Sequence, residues 1–264
     1  MKRYGYMAGR YVVIMAGGKG ERFWPASRLK RPKHLLPIVG DKPMLTQTVD
    51  RLKGFIDPSC IYVITNSEQL EGVRDVCPML PEENVVAEPV GRDTAAAVGL
   101  AMLLIKKENP AAAMAMLPAD AFIENHAGFQ KALDVAFQAA EGSSSLVTIG
   151  IAPTEPATGY GYIQKGSAIA NFAGQDVFRV AEFKEKPDLA TAKMYVDSGD
   201  YYWNAGMFVW SVAAISDALA RFTPILKTGL DELENRLNAG EALATLLKEL
   251  YPNLEKISID FAVM

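Results

Sequence analysis

A short apolar run that ends in a cluster of glycines constrains this fold more than any other part of the sequence. Residues 11–15 are apolar throughout and rich in β-forming side chains, which predicts a strand covered on both faces, as in a parallel sheet. Gly17, Gly18 and Gly20 follow, and they remove side chains where the backbone bends and approaches a ligand closely. Basic residues come next, at Arg22, Arg28, Lys30, Arg31 and Lys33. This order indicates a strand that delivers a backbone loop to a polyphosphate.

The spacing of the glycines is neither G-x-x-x-x-G-K-[ST] nor G-x-G-x-x-G, so neither the P-loop nor the dinucleotide fingerprint fits. A glycine cluster after a strand also has a purely structural interpretation, in which it only turns the chain. The longer run G-G-x-G-x-R-x-W-P-x-S-R, followed by P-K, is far more specific. This run resembles the sugar-1-phosphate nucleotidylyltransferases, most closely the mannose-1-phosphate guanylyltransferase (GDP-mannose pyrophosphorylase) family. The resemblance implies that the loop at Ala16, Gly17, Gly18 and Gly20 wraps a nucleoside triphosphate, and that Arg22 and Lys33 contact its phosphates.

Composition and charge exclude several other classes of protein. A chain of 264 residues and 28.7 kDa can bury a large core as one domain. The net charge of −4 argues against a general nucleic-acid binder. No apolar run approaches the roughly 20 residues of a membrane span, and no signal peptide is apparent. Two cysteines are too few for a disulfide framework or a zinc site. A cytoplasmic protein is therefore expected, with no membrane or nucleic-acid partner.

Strand and helix patterns alternate through the first half of the chain. Apolar β-rich runs at 61–64, 112–117 and 146–151 predict strands, and helices are predicted at roughly 43–53, 68–76, 94–107 and 128–141. Residues 154–210 read as antiparallel strands, and the sequence after Ser211 is helical, including 232–250. The predicted fold is α/β, with a Rossmann-like mixed, mostly parallel sheet flanked by helices on both faces. Ligands in such sheets bind at the carboxyl ends of the strands.

The segment E-P-V-G-R-D-T-A-A-A begins at Glu88 and leads into a helix of small residues. Taken alone it is a capped helix start, with Asp93 or Thr94 as the cap. It also resembles the E-P-x-G-R-N-T-A-P-A segment of the family, which implies that Glu88, Gly91 and Thr94 bind the nucleoside. Glu88 can accept hydrogen bonds from the amino group and ring N–H of guanine, an edge that adenine does not offer. Asp93 replaces the usual asparagine and adds a negative charge.

Two aspartates are candidates for metal binding. Asp120 follows the apolar run at 112–117, a position that also suits a turn or cap residue. The run L-P-A-D resembles the L-P-A-D-H of the family, with Ala121 in place of histidine, and S-I-D-F-A-V-M at the end of the chain resembles S-I-D-[YF]-A-V-M-E-K. The resemblance implies that Asp120 and Asp260 bind the catalytic Mg²⁺. Ser258 is also expected to cap a helix there.

Three stretches are expected on the sugar side of the site. They read T-G-Y-G-Y-I, E-K-P and W-N-A-G-M-F, and each alone has a structural interpretation: a glycine hairpin, a solvated charged strand and an aromatic core strand. All three occur in the order found in the family. The resemblance implies that Gly161, Glu185, Lys186 and Asn204 bind the sugar and its phosphate.

The resemblance implies an Mg²⁺-dependent reaction that joins GTP and mannose 1-phosphate to give GDP-mannose and pyrophosphate. The catalytic residues would be Arg22, Lys33, Asp120 and Asp260. A related transferase that uses another nucleoside triphosphate or sugar, and a non-catalytic sugar-nucleotide binding module, stay open as alternatives. Residues 1–264 are expected to form a single nucleotidyltransferase catalytic domain, truncated at its C-terminus, and a homodimer is left open.

Overall fold

The fold is known from a computed structural model, which describes residues 9–18, 27–28 and 31–263. Gly20 and Arg22, both predicted to bind phosphate, lie outside this part of the chain. The described strands are β1 (Arg10–Met15), β2 (Ile61–Asn66), β3 (Val85–Glu88), β4 (Ala113–Pro118), β5 (Val147–Ile151), β6 (Tyr162–Phe172), β7 (Gln175–Lys184) and β8 (Tyr201–Ser211). The described α-helices are α1 (Met44–Asp50), α2 (Leu70–Val76), α3 (Asp93–Glu108), α4 (His126–Ala140), α5 (Leu189–Ser198), α6 (Val212–Phe222), α7 (Pro224–Asn238), α8 (Leu243–Glu249) and α9 (Ile259–Val263).

All the described strands join one mixed sheet in the order β3-β2-β1-β4-β8-β6-β7, with β5 pairing to β8. The β3, β2, β1 and β4 strands are parallel to one another, whereas β8 is antiparallel to β4, β5 and β6. The predicted parallel centre with antiparallel strands after it is thus confirmed. Because β8 reverses direction beside β4, its first residues lie at the same sheet edge as the residues that follow β4.

The β1 strand is buried on both faces, as its continuous apolar run predicts. Val12, Val13 and Ile14 are all fully buried. Val13 packs in a cluster with α3, α6 and α7, while Val12 and Ile14 pack in a second cluster with α1, α2 and α4. Each such aliphatic side chain contributes about 1.5–3 kcal/mol on burial. This two-sided packing fixes the strand that carries the glycine turn.

One predicted helix is wrong in its extent. The pattern over 232–250 predicts continuous helix, but α7 ends at Asn238 and α8 begins at Leu243. Gly240 lies between them with a φ of +94°, in the left-handed region that favours glycine. Leu237 and Leu243 are six residues apart, which is not a helical spacing of three, four or seven, so the leucine pattern is interrupted at this break.

Two further expectations can be compared with the described part of the chain. Cys60 and Cys77 are both free thiols, of which Cys77 is buried and Cys60 is half-buried. Within the described residues, no helix is both long enough and apolar enough to cross a lipid bilayer.

Candidate active site

The predicted site residues collect at one edge of the sheet. Because β1, β3 and β4 are parallel, their carboxyl ends meet there. The glycine turn follows β1, Glu88 is the last residue of β3, and Asp120 comes two residues after β4. The antiparallel register of β4 with β8, from Ala113↔Ser211 to Met116↔Phe208, brings the Asn204 end of β8 toward the same edge. Motifs that lie far apart in the sequence thus meet in space.

The glycine turn is tied to the end of β2. The backbone N–H of Ala16 donates to the Ile64 carbonyl at 2.8 Å, and the Thr65 hydroxyl donates to the Ala16 carbonyl at 2.9 Å. The Asn66 amide donates to the Gly17 carbonyl at 3.3 Å, and the Gln69 amide donates to the Gly18 carbonyl at 3.4 Å. These bonds hold the described part of the turn in one conformation.

Glu88 lies directly against this turn. A Cβ added at Gly17 would be 3.3 Å from Glu88 Oε2, so the glycine permits the close approach of the carboxylate. The other oxygen, Oε1, accepts a hydrogen bond from the Tyr251 hydroxyl. Burial raises the pKa of Glu88 to about 7, with a smaller contribution from the charge of Asp93, while the Tyr251 hydrogen bond opposes the shift. The predicted base-binding residue is therefore a buried carboxyl that titrates near neutral pH.

This burial predicts a pH dependence of stability. The folded state binds more protons than the unfolded chain between pH about 4.5 and 7, because the pKa of Glu88 is higher in the folded state. The free energy of unfolding should therefore fall as pH rises through this window, by at most roughly 1.4 kcal/mol per pH unit. In Glu88→Gln the free energy of unfolding should decrease less between pH 5 and pH 8 than in the wild type, as measured by urea unfolding at both pH values. An unchanged pH slope in Glu88→Gln would contradict the assignment.

The start of α3 agrees with part of the predicted cap. Arg92, before the helix, makes no side-chain capping bond, but the Asp93 carboxylate accepts from the backbone N–H of Thr94 at 2.8 Å, and Asp93 has a non-helical φ of +64°. Thr94 does not act as a cap. Instead the Thr94 hydroxyl accepts a hydrogen bond from the backbone N–H of Ile259 at 2.7 Å, and Ala95 N–H donates to the Ile257 carbonyl at 3.1 Å. The first turn of α3 is thus joined to the segment that carries Asp260. The backbone N–H of Ala95 is used in this contact and is not available to a ligand.

Gly91, the third residue predicted to bind the nucleoside, is exposed just before α3. A Cβ added there would meet nothing within 4 Å. The described contacts do not require a glycine at this position.

Asp120 lies beside Lys33. Lys33 Nζ is 3.2 Å from Asp120 Oδ2. The loop that carries Asp120 is held by the Ala119 N–H, which donates to the Met15 carbonyl at 3.2 Å. The side chain of Arg51, which follows α1, donates to the Ala121 carbonyl at 2.8 Å. Arg51 belongs to none of the motifs found in the sequence, and an isolated basic residue gives no signal of this supporting contact.

The sugar-side residues form a second group around Asp260. The Asn204 amide donates to Asp260 Oδ1 at 2.9 Å, and the Asn204 backbone N–H donates to the Gly161 carbonyl at 2.8 Å. A Cβ added at Gly161 would lie 2.7 Å from Glu185 Oε2, so any other residue there would require the exposed Glu185 side chain to move. Lys186 forms an ion pair of 2.8 Å with Glu185. Ser258 does cap α9, because its Oγ accepts from the Phe261 N–H at 3.4 Å.

The two carboxylates match the donor chemistry of a magnesium ion. Within the described residues, no three carboxylate, histidine or cysteine side chains form a complete metal-binding group. Magnesium is commonly held by one or two carboxylates together with substrate phosphates and water, and Asp120 and Asp260 each offer a carboxylate of this kind. His34 is buried, and burial lowers its pKa to about 4, so the imidazole is neutral at physiological pH.

Comparisons with known proteins show what this chain is similar to. A family profile described as "Nucleotidyl transferase" matches residues 11–249. The chain is 38% identical over 261 residues to a mannose-1-phosphate guanylyltransferase of Escherichia coli K12, covering 96% of this chain and 54% of that protein. It is 39% identical over 254 residues to one of Klebsiella pneumoniae, covering 96% of this chain and 53% of that protein. The chain therefore spans about half the length of the curated relatives it matches.

A solved structure shares the same fold. It comes from Thermus thermophilus and is described as a mannose-1-phosphate geranyltransferase. It is 36% identical with a TM-score of 0.83, covering 97% of this chain and 71% of that chain.

Proposed function

Because this chain belongs to the nucleotidyl transferase family, we propose that it joins GTP and mannose 1-phosphate to give GDP-mannose and pyrophosphate. The observation that carries the proposal is the meeting, at one sheet edge, of the glycine turn with the Lys33–Asp120 and Asn204–Asp260 pairs. The names of the relatives support the choice of base and sugar.

The nucleotide side of the proposed site is built on the ends of the parallel strands. Gly17 and Gly18 allow the triphosphate to approach the backbone, and Lys33 places a positive charge beside it. Gly20 and Arg22 are proposed for the same phosphates on sequence grounds. Glu88 would accept hydrogen bonds from the guanine edge, since its carboxylate lies against the turn. Ala16, Gly91 and Thr94 complete this side, with Thr94 acting through the Asp260 segment.

The sugar side of the proposed site lies at the start of β8. Asn204 and Glu185 would bind the sugar hydroxyls, and Lys186 would reach the sugar phosphate. Gly161 keeps the space between Asn204 and Glu185 open, because any side chain there would meet both residues.

The reaction requires two anions to meet, so positioning and charge neutralisation are the main tasks of the protein. An oxygen of the sugar phosphate attacks the α-phosphorus of GTP in line, and pyrophosphate leaves. No general base is needed, because the sugar phosphate is already ionised at neutral pH. Lys33 would offset the charge that builds on the phosphates.

Asp120 and Asp260 would hold Mg²⁺. When bound, the ion would neutralise charge shared between the α-phosphate and the sugar phosphate. A cytoplasmic location and a homodimer stay predictions from the sequence.

The direct test is pyrophosphate release with Mg²⁺ across a grid of GTP, ATP, UTP and dTTP against mannose, glucose and other sugar 1-phosphates. Release confined to GTP with mannose 1-phosphate is expected. A different productive pair would contradict the proposed base or sugar and favour a related transferase. GDP-mannose binding without release from any pair would favour the binding module instead.

Lys33→Ala should lower kcat/KM for GTP by about a hundredfold, because it removes a charge placed against the phosphates. The matched control is Lys107→Ala, at an exposed position on the far part of α3. Steady-state kinetics of both variants gives the comparison. Equal effects of the two substitutions would show that the charge beside the glycine turn has no special role.

A further inference from the structure

Tyr251 is a buried tyrosine that no motif of the sequence singles out. It follows α8 and its side chain is fully buried, in the cluster that also contains α3 and Ile259. Its hydroxyl donates a hydrogen bond to Glu88 Oε1. The residue therefore joins the segment before α9 to the end of β3.

The two oxygens of Glu88 have different surroundings. Oε1 is bound by Tyr251, whereas Oε2 lies against Gly17, 3.3 Å from where a Cβ would stand. The backbone of Glu88 is held as well, because the Ser67 hydroxyl and backbone N–H both donate to the Glu88 carbonyl, at 3.1 and 3.2 Å. With the backbone held in this way, the Tyr251 hydrogen bond restrains the rotation of the carboxylate about its last torsion.

We propose, on the basis of the function proposed above, that Tyr251 is a positioning residue for base selection, which orients the Glu88 carboxylate to accept two hydrogen bonds from guanine. Guanine presents its ring N–H and its 2-amino group side by side, and both are donors. Adenine presents an acceptor nitrogen beside its amino group. A carboxylate held in one orientation therefore pairs with guanine and leaves adenine with an unsatisfied contact.

The hydrogen bond also favours the charged form of Glu88, the form that accepts from guanine. Burial and the charge of Asp93 both raise the pKa of Glu88, and the Tyr251 hydroxyl opposes them. Burial and the charge of Glu88 raise the pKa of the Tyr251 hydroxyl, and the positive charge of Arg92, just before α3, opposes that shift. If the Tyr251 hydroxyl is removed, the carboxyl should take up a proton at higher pH, and a protonated carboxyl can donate to adenine.

The test is Tyr251→Phe, which deletes the hydroxyl and keeps the ring. Calorimetry with GDP and with ADP at pH 8 measures base preference without requiring turnover. The preference for GDP over ADP should fall by about tenfold, the size expected for a hydrogen bond to a charged group. The midpoint of the loss of GDP affinity on acidification should also move to higher pH than in the wild type.

Tyr62→Phe is the matched control. Tyr62 is also buried and its hydroxyl also donates to a glutamate, Glu108, but that glutamate is at the far end of α3. This variant should keep the wild-type preference. Adding Tyr251→Phe to Glu88→Gln should change the preference no further, because the two residues act through one contact.

Equal weakening of GDP and ADP in Tyr251→Phe would overturn the proposal and leave Tyr251 a packing residue. If Tyr251→Phe does not fold, Glu88→Gln becomes the test, and it should remove the preference for GDP over ADP. If Glu88→Gln keeps that preference, the proposal is overturned. A wild-type protein that prefers GDP but releases no pyrophosphate would refute the proposed activity and would leave the Tyr251 inference standing. A wild type without base preference would overturn the Tyr251 inference.

Discussion

Asp120→Ala is expected to lower kcat by at least about a thousandfold, which corresponds to roughly 4 kcal/mol of the barrier. The variant loses a proposed Mg²⁺ ligand and the carboxylate that lies 3.2 Å from Lys33. The proposed metal ion and Lys33 would together position the GTP phosphates and the sugar phosphate, and Asp120 would contact both. Pyrophosphate release at saturating GTP, mannose 1-phosphate and Mg²⁺ measures the effect.

The fold of Asp120→Ala should be kept. Asp120 is about half-exposed, and exposed ion pairs contribute only about 0–1 kcal/mol to stability. Thermal unfolding of the variant checks this expectation. Asp75→Ala is the control, since Asp75 is an exposed aspartate on α2. Near-wild-type rates for Asp120→Ala at saturating Mg²⁺ would refute the metal assignment.

The centre of the fold could be predicted because its signals are local. The β1 strand needs apolar residues on both faces, so its five-residue apolar run is unambiguous, and Val12, Val13 and Ile14 are indeed fully buried. The break between α7 and α8 is set by one left-handed residue, Gly240. The leucines keep a helical spacing within each helix, but the step of six residues from Leu237 to Leu243 interrupts that spacing at the break.

Part of the candidate site could be predicted because whole motifs recur in a family. Asp120, Asn204 and Asp260 lie far apart in the sequence, yet the sheet brings Asp120 and the other two to one edge. Their assignment came from resemblance, since a lone aspartate after a strand has several structural roles. The roles of these residues in catalysis stay predictions.

Other contacts could not be predicted because they are long-range and involve single residues. The Thr94 hydroxyl has the sequence context of a cap, but it bonds to Ile259, 165 positions away. Tyr251 bonds to Glu88 across 163 positions. Neither partner leaves a periodic signal in the sequence, because each contact depends on how complete elements pack.

Asp260→Ala is also expected to lower kcat by at least about a thousandfold. Asp260 is a proposed metal ligand, and its carboxylate is oriented by the Asn204 amide at 2.9 Å. The neighbouring Phe261→Ala is the control, because the Phe261 side chain is 79% exposed and outside the proposed site. Pyrophosphate release and the Mg²⁺ concentration for half-maximal rate measure both variants.

The pair Asn204 and Asp260 can be tested as a unit. Asn204→Ala should lower kcat by about a hundredfold, because it frees Asp260 to rotate and removes a proposed contact to the sugar. If Asn204 acts mainly through Asp260, adding Asn204→Ala to Asp260→Ala should cost far less than it does alone. Fully additive losses would mean that the two residues contribute independently. In that case the 2.9 Å hydrogen bond would have no catalytic role, and Asn204 would act through the sugar alone.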